Sequence, residues 1–176
     1  MNVNYIVVQA GGKGARMESL TRNKPKALAP VNNLPMIFHL FRKYKEKKYV
    51  VIGDYQYDVL KNYLNAFAEV SYEMVCGTGC TGTCAGLREA LKHIPPETPF
   101  MLIWCDLVLS EEYEMPREDG NYIGISKDFV CRWKYEQGVF AEERSAEQGV
   151  AGLFIFQDKL YLEDVPENGE FVRWLQ

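Results

Sequence analysis

A glycine-rich segment near the N-terminus, followed by two separated cations, is the part of the sequence best suited to hold phosphate groups. The segment GGKGARM occupies residues 11–17 and contains Arg16, and Lys26 follows within KPKAL. Glycines allow close approach to the backbone and tolerate positive φ, so consecutive N–H groups can face one anion. A guanidinium fork suits a polyphosphate, and a compact ammonium suits a single phosphoryl oxygen. The pattern therefore predicts a site for a phosphorylated ligand.

The spacing of this segment differs from that of a Walker A loop, in which Ser or Thr follows the Gly-Lys pair. Here Lys13 is followed by Gly14. The longer segment GGKGARMESLTRNKPKALAPV, residues 11–31, instead resembles the N-terminal motif of the sugar-nucleotide pyrophosphorylases, with Ser19 in place of the usual proline. The extended pattern, with Arg16 and Lys26 both in register, carries the resemblance; a glycine run alone would be weak support.

The resemblance implies a nucleotidyltransferase that transfers NMP from an NTP to a phosphorylated acceptor and releases pyrophosphate. A sugar 1-phosphate is the main expectation for the acceptor, and phosphocholine or a similar phospho-alcohol is the alternative. The loop around the base and phosphates is assigned by the resemblance to Ala10, Gly11, Gly12 and Gly14. Arg16 would hold the departing pyrophosphate, and Lys26 would contact the α-phosphate and the acceptor phosphate.

Asp106 directly follows an apolar run, 101–105, that is typical of a buried strand. Mg²⁺ binds through one or two carboxylates together with phosphate oxygens and water. In the resembled family an Asp at this strand end ligates Mg²⁺, so Mg²⁺ is the expected cofactor and Asp106 its expected ligand, although Asp is also common as a turn or helix cap. The family's second metal aspartate and its acceptor-binding E-K-P segment are absent from this sequence, and Glu163 or Asp164 is a guess at a replacement ligand.

A second glycine-rich loop covers residues 76–86, CGTGCTGTCAG. Gly82 and Thr83 match the Gly-Thr of the family's G-T-A-G-x-L loop, which implies contacts with the base and the acceptor. Residues 77–82 also satisfy G-x-G-x-x-G, the fingerprint of an NAD-binding dehydrogenase. That alternative leaves Arg16 and Lys26 without a role.

Two further alternatives concern the chemistry of the site. Because the second metal aspartate is missing, the chain could be a nucleotide-binding regulatory module without turnover. Cys76, Cys80 and Cys84 repeat at a spacing of four, which could suggest a metal site. Zinc and iron–sulfur sites more often use Cys pairs separated by two residues, and an odd total of five cysteines favours free thiols.

The order of the predicted elements indicates an α/β fold. The predicted strands are 5–8, 49–52, 70–75 and 100–105, and the predicted helices between them are 35–48, 57–67 and 83–93. This alternation predicts a mostly parallel, Rossmann-like sheet in three layers, with helices on both faces. Strand candidates 122–126, 138–141 and 150–156 lack long helices between them, which indicates a smaller mixed-strand region, and a short helix is predicted at 158–162. The resemblance implies the fold of nucleotide-diphospho-sugar transferases.

The composition is that of a globular protein, with 47% apolar and 25% charged residues. A chain of 176 residues is expected to form one domain, 1–176. A net charge of −4 argues against a nucleic-acid partner. No apolar run reaches the roughly 20 residues that span a bilayer, and no secretion signal is evident, so a cytoplasmic location is the default expectation. Residues 168–176 are typical of a helix start without a C-cap, so we expect a C-terminally truncated domain.

Overall fold

The structure, a computed structural model, describes residues 1–77 and 79–176. Its strands are β1 (Tyr5–Gln9), β2 (Pro30–Val31), β3 (Leu34–Pro35), β4 (Lys48–Gly53), β5 (Ser71–Cys76), β6 (Phe100–Trp104), β7 (Tyr122–Ser126), β8 (Lys134–Glu136), β9 (Val139–Ala141) and β10 (Gly149–Phe156). Its α-helices are α1 (Met36–Lys43), α2 (Tyr57–Phe67), α3 (Leu87–Lys92) and α4 (Phe171–Trp174). Short 3-10 helices occupy Ala15–Thr21, Lys26–Leu28 and Lys159–Leu162.

The main sheet has the strand order β5-β4-β1-β6-β10-β8-β9, and β7 also pairs with β10. Strands β5, β4, β1 and β6 are mutually parallel, whereas β10 runs antiparallel to β6. The strands after Asp106, predicted to form a smaller mixed-strand region, extend this main sheet with antiparallel pairings. β2 and β3 form a separate hairpin.

Alternating side chains of β1 show why the domain has three layers. Ile6 and Val8 are buried against α1 and α2 on one face of the sheet, and Val7 is buried against α3 and α4 on the other. A strand whose residues are apolar on both faces is expected where a parallel sheet is covered on both sides. The predicted α/β fold class is confirmed.

Two predicted helices are shorter than the sequence indicates. Residues 35–48 were expected to be helical, but α1 ends at Lys43 because Tyr44 adopts non-helical dihedrals, φ −129° and ψ 62°. The hydroxyl of Tyr49 donates to the carbonyl oxygens of Leu40 (3.1 Å) and Tyr44 (2.9 Å), which ties this helix end to β4. The predicted helix 83–93 begins only at Leu87, since turns fill residues 83–86.

The short elements near the C-terminus are present as predicted. Asp158 caps the 3-10 helix Lys159–Leu162 by accepting from the N–H of Leu160 at 2.8 Å. Helix α4 buries Phe171 and Val172 in the core. In the described part of the chain, none of the helices has the length and apolar character that crossing a membrane requires.

Candidate active site

The carboxyl ends of the parallel strands surround a cavity of about 550 Å³. Strands β1, β4, β5 and β6 end next to lining residues Gly11, Asp54, Gly77 and Asp106 respectively. Ligands of open α/β sheets bind at this edge, particularly where neighbouring connections leave in opposite directions. β1 lies between β4 and β6, so the chain places both glycine loops and Asp106 around one space.

The first glycine loop is shaped by two glycines with different neighbours. Gly14 has φ 64°, and its carbonyl oxygen accepts from the Met17 N–H (2.8 Å) and from the Thr21 hydroxyl (3.0 Å). A Cβ at Gly11 would lie 3.0 Å from the Cβ of Asp54, so a larger residue would press on the end of β4. Glycine therefore suits the path of the loop, by its positive φ at Gly14 and by the close approach of Asp54 at Gly11.

Lys26 and Asp106 meet at the rim of the cavity. The 3-10 helix Lys26–Leu28 is anchored by Ala27 and Leu28, which are buried in the core. The Lys26 N–H donates to the carbonyl oxygen of Gly12 at 3.4 Å, and the Lys26 ammonium forms an ion pair with Oδ2 of Asp106. The two side chains remain 27% and 41% exposed, so both are open to a ligand. The cation and the carboxylate predicted from separate motifs thus form one unit.

Arg16 also lines the cavity, from the 3-10 helix Ala15–Thr21. Its side chain is exposed, and no ion pair holds it among the residues that the structure describes. A guanidinium in this position retains its donors for an anionic ligand. Arg16, Lys26, Gly11 and Gly12 border the same space. That they hold a triphosphate stays a prediction.

The second glycine loop is held by residues 168–171, which we call the C-terminal clamp. The Thr81 N–H donates to Asn168 Oδ1 (2.8 Å), and the Gly169 N–H donates to the Thr81 carbonyl oxygen (2.8 Å). The Cys84 N–H donates to the carbonyl oxygen of Gly169 (3.0 Å). The loop is therefore paired to the clamp in a ladder-like manner, although the two lie far apart in sequence.

Thr83 is the centre of a small polar network between the loop and the clamp. Its hydroxyl accepts from the Phe171 N–H (2.7 Å) and donates to Glu170 Oε2 (3.2 Å). On the opposite side, Nε2 of Gln9 donates to the carbonyl oxygens of Thr83 (2.9 Å) and Ala85 (3.0 Å). Gln9 was not selected from the sequence, and its place at the end of β1 is the signal that could have identified it.

Gly82 closely approaches the clamp. It has φ 80°, and a Cβ there would overlap the carbonyl group of Gly169. We expect Gly82→Ala to lower the free energy of unfolding by about 2–4 kcal/mol, since left-handed strain and the backbone clash act together. Urea denaturation measures this change. Gly138→Ala is the matched control, because Gly138 has φ 85° with open space around its Cβ position. Equal losses for the two variants would contradict a clash with the clamp.

Two of the predicted site residues, Ala10 and Gly14, do not line the cavity. Ala10 is fully buried below the first loop, with its N–H bonded to the Ile52 carbonyl oxygen at 2.9 Å. Neither Ala10 nor Gly14 is among the described residues that line the cavity, so both act on the path of the loop. Thr78, part of the second glycine loop, lies outside the described residues.

The second loop departs from a dinucleotide fingerprint in its surroundings. In that fingerprint the glycine loop opens a helix directly, with the phosphate at the helix N-terminus. Here α3 begins at Leu87, and turns separate it from Gly82. Gly82 also faces backbone of the clamp, as described above. This geometry does not support the NAD-binding alternative.

The cysteines of this loop have separate environments. Cys76 is exposed, Cys80 is intermediate and Cys84 is buried, and all are free thiols. Burial, with a smaller contribution from Glu170, raises the pKa of Cys84 to about 11, which keeps it protonated at neutral pH. The three thiols thus differ in exposure, and among the described residues no three His, Cys, Asp or Glu side chains are arranged to hold a metal ion.

Asp106 suits Mg²⁺ as a single protein carboxylate. Among residues 1–77 and 79–176, no group of three or more His, Cys, Asp and Glu side chains is arranged to hold a metal ion. Mg²⁺ is commonly held by one or two carboxylates plus substrate phosphates. The exposed Asp106 carboxylate at the cavity rim fits a cation that binds together with a nucleotide.

The guess that Glu163 or Asp164 supplies a second ligand finds no support in the geometry. Neither is among the described residues that line the cavity, whereas Glu170 is. Glu170 was not predicted from the sequence, because it lies in the clamp, which reaches the cavity only through tertiary packing. Its carboxylate accepts from Thr83, so it borders the second loop.

A group of larger side chains completes the cavity wall: Trp104, Arg132, Trp133 and Val150. Gly152, at φ 85°, makes room for Trp104, since a Cβ there would overlap the indole ring. The pairing of β10 with β7 shifts register between Val150 and Phe154 at the same place, as in a β-bulge. This irregularity shapes the wall beside β6.

Comparison with known families identifies the domain type. Residues 6–114 match the family described as the MobA-like NTP transferase domain. This range contains the first loop, Lys26, the second loop and Asp106. The predicted resemblance to nucleotidyltransferases is confirmed by this match.

Similar curated proteins are longer than this chain. It is 28% identical over 95 residues to the D-glycero-alpha-D-manno-heptose 1-phosphate guanylyltransferase of Campylobacter jejuni, a match that covers 52% of this chain and 43% of that protein. It is 29% identical over 121 residues to the UTP–glucose-1-phosphate uridylyltransferase AglF of Haloferax volcanii, covering 64% of this chain and 49% of that protein. The chain therefore matches about half, or less, of the length of these relatives.

Solved structures share the fold. The inositol-1-phosphate CTP transferase from T. maritima is similar with a TM-score of 0.74, over 99% of this chain and 80% of that one, at 16% identity. Identity this low shows a common fold, here that of nucleotide-diphospho-sugar transferases. The family match covers more than half of this chain. The chain therefore belongs to the MobA-like NTP transferase domain family.

Proposed function

We propose that residues 1–176 act as one nucleotidyltransferase domain, which transfers NMP from an NTP to a phosphorylated acceptor and releases pyrophosphate. The observation that carries this proposal is the ion pair between Lys26 and Asp106, which joins two separate motifs at the rim of the cavity. A sugar 1-phosphate is the favoured acceptor class, because the Campylobacter and Haloferax relatives are named for sugar 1-phosphates.

The proposed reaction needs no protein nucleophile. An oxygen of the acceptor phosphate attacks the α-phosphorus, the bond from that phosphorus to the bridging oxygen of the β-phosphate breaks, and pyrophosphate leaves. The attacking group is already an anion, so the protein must align the reactants and neutralise their charge. The glycine backbone, Arg16 and Lys26 supply these functions.

Lys26 can serve Asp106 and a phosphate at once, because an ammonium has three donors. The ion pair holds its Nζ at the rim, beside the space where the α-phosphate would lie. Arg16 would hold the β- and γ-phosphates that depart as pyrophosphate. Asp106 would hold Mg²⁺, which when bound supplies positive charge to the phosphate oxygens.

Pyrophosphate release tests the proposal. The protein is incubated with each of the four common NTPs, Mg²⁺ and a panel of sugar 1-phosphates and phosphocholine, and calorimetry measures the binding of each NTP and of NAD. Release that requires both an NTP and one acceptor supports the proposal. NTP binding without release for any pair would support a nucleotide-binding module instead, and binding of NAD alone would contradict both.

Arg16→Ala is expected to raise the Kd of the bound NTP about tenfold or more, since hydrogen bonds to charged groups contribute about 1.5–3 kcal/mol. Titration calorimetry with Mg²⁺ and the best NTP measures it. Arg22→Ala is the matched control, because Arg22 is exposed, lies in the same segment and is not among the described residues that line the cavity. An unchanged Kd for Arg16→Ala would remove Arg16 from the site.

A further inference from the structure

A third cation of the cavity wall has no role in the triphosphate site. Of the residues that the structure describes, the basic side chains lining the cavity are Arg16, Lys26 and Arg132. Arg132 precedes β8, which pairs with the start of β10 at Gly149, whereas β6 pairs with β10 over residues 153–156. Arg132 therefore reaches the cavity from a different segment than Arg16 and Lys26 do.

The Arg132 guanidinium forms an ion pair with the Glu142 carboxylate. Its Nε and Nη2 donate to Oε1 of Glu142 at 3.0 and 2.6 Å. The other oxygen of Glu142 accepts from Arg173. The guanidinium groups of Arg132 and Arg173 lie 6.0 and 5.8 Å from the ring centre of Trp133. Two guanidinium groups thus share the Glu142 carboxylate, and Glu170, which also lines the cavity, acts electrostatically on Arg132 from farther away.

The arrangement lets Arg132 change partners without leaving Glu142 unpaired. Arg173 contacts Glu142 through the second carboxylate oxygen, so it retains that contact when the first oxygen is released. Arg173 is not among the described residues that line the cavity, whereas Arg132 is, and the Arg132 side chain is 56% exposed. A guanidinium fork suits a phosphate monoester, which carries about −1.5 to −2 charge at pH 7.

We propose that Arg132 binds the phosphate group of the acceptor, and that Arg173 is a positioning residue that holds Glu142. This inference rests on the proposed function, because it assigns the acceptor end of the same cavity. Lys26, expected at both the α-phosphate and the acceptor phosphate, is also paired with Asp106, so an acceptor dianion repelled by the bound triphosphate needs a further cation. Arg132 supplies that cation beside Trp133 and Val150.

The test measures binding, so that it does not depend on turnover. Inorganic phosphate, glucose 1-phosphate and glucose are titrated calorimetrically into the whole protein, with Mg²⁺ and an α,β-methylene analogue of its best NTP, and again without nucleotide. We expect Arg132→Ala to weaken both phosphate probes about tenfold to a hundredfold, as for a lost charge-assisted pair. The affinities of Arg132→Ala for glucose and for nucleotide should stay within about twofold of the wild-type values. The loss of a charge-assisted pair would change them by more than that.

Matched variants separate the phosphate contact from general effects. Arg144→Ala removes an exposed arginine of the same region that is not among the described lining residues, and it should change nothing. Arg173→Ala should weaken the phosphate probes by a smaller factor than Arg132→Ala, and Arg173→Lys should restore the affinity. Arg132→Lys keeps the charge without the fork and should give an intermediate affinity.

Three results would overturn the assignment. The first is equal binding of the phosphate probes to wild type and Arg132→Ala, including no binding to either. The second is an equal loss of affinity for glucose and for glucose 1-phosphate, which would mean that Arg132 contacts sugar hydroxyl groups. The third is a loss of nucleotide affinity as large as that of Arg16→Ala. Failure of the proposed function is a separate outcome, seen as absence of NTP binding or of pyrophosphate release in the wild type.

Discussion

Lys26→Ala is expected to lower the kcat of nucleotidyl transfer by about 10²–10³-fold, the range seen when one preorganised donor is removed from developing negative charge. Lys26 is held at the rim by its ion pair with Asp106 and by its N–H bond to Gly12. Its ammonium would meet the charge that shifts during transfer, so the loss should fall on kcat more than on substrate affinity. Steady-state pyrophosphate release and NTP calorimetry measure the two effects.

Lys24→Ala provides the control for this variant. Lys24 carries the same charge two residues away and is not among the described residues that line the cavity. It should retain the wild-type kcat. If Lys26→Ala kept a kcat close to that of Lys24→Ala, Lys26 would be a surface lysine beside a turn. If its NTP affinity fell as far as its kcat, Lys26 would act in binding.

Phe171→Ala is expected to lower the free energy of unfolding by about 3–5 kcal/mol, as for other large aromatic truncations in cores. Phe171 is fully buried, and its ring lies 5.1 Å from that of Phe154 and 5.7 Å from that of Trp174. In a chain of this size the loss corresponds to a fall in Tm of about 10 °C. Thermal and urea unfolding measure it.

The same variant tests the coupling of the clamp to the second loop. Phe171 follows Glu170 and donates its N–H to Thr83, so a loosened α4 should also weaken NTP binding under conditions where the variant is folded. Leu160→Ala is the control, because Leu160 is 64% exposed and should change stability little. A loss for Phe171→Ala no larger than that for Leu160→Ala would mean that α4 adds little to the core.

The half of the site that sequence predicts best comes from the parallel strands. Lys26 and Asp106 follow recognisable local patterns, and the carboxyl ends of parallel strands meet at one edge whatever the details of packing. Strand positions were correct to within a residue or two for β1, β4, β5 and β6. Helix ends were less accurate, because Tyr44 and Gly86 adopt dihedrals that periodicity does not reveal.

The other half depends on contacts between distant segments. Arg132 and Glu170 carry no local motif, and they reach the cavity through the pairing of β10 with β6 and the packing of α4. Gln9 was not predicted as a site residue, since its two carbonyl acceptors belong to residues more than 70 positions away. No local pattern of residue types encodes such pairings.

The C-terminal clamp has a consequence for biosynthesis. Thr81 and its hydrogen-bond partner Asn168 are separated by 87 positions. The ribosome has therefore synthesised most of this domain before the second loop can pair with the clamp. Domains generally fold as units during synthesis. The second loop can therefore reach its paired geometry only after residues 168–171 have left the exit tunnel, so this side of the cavity is completed late in synthesis.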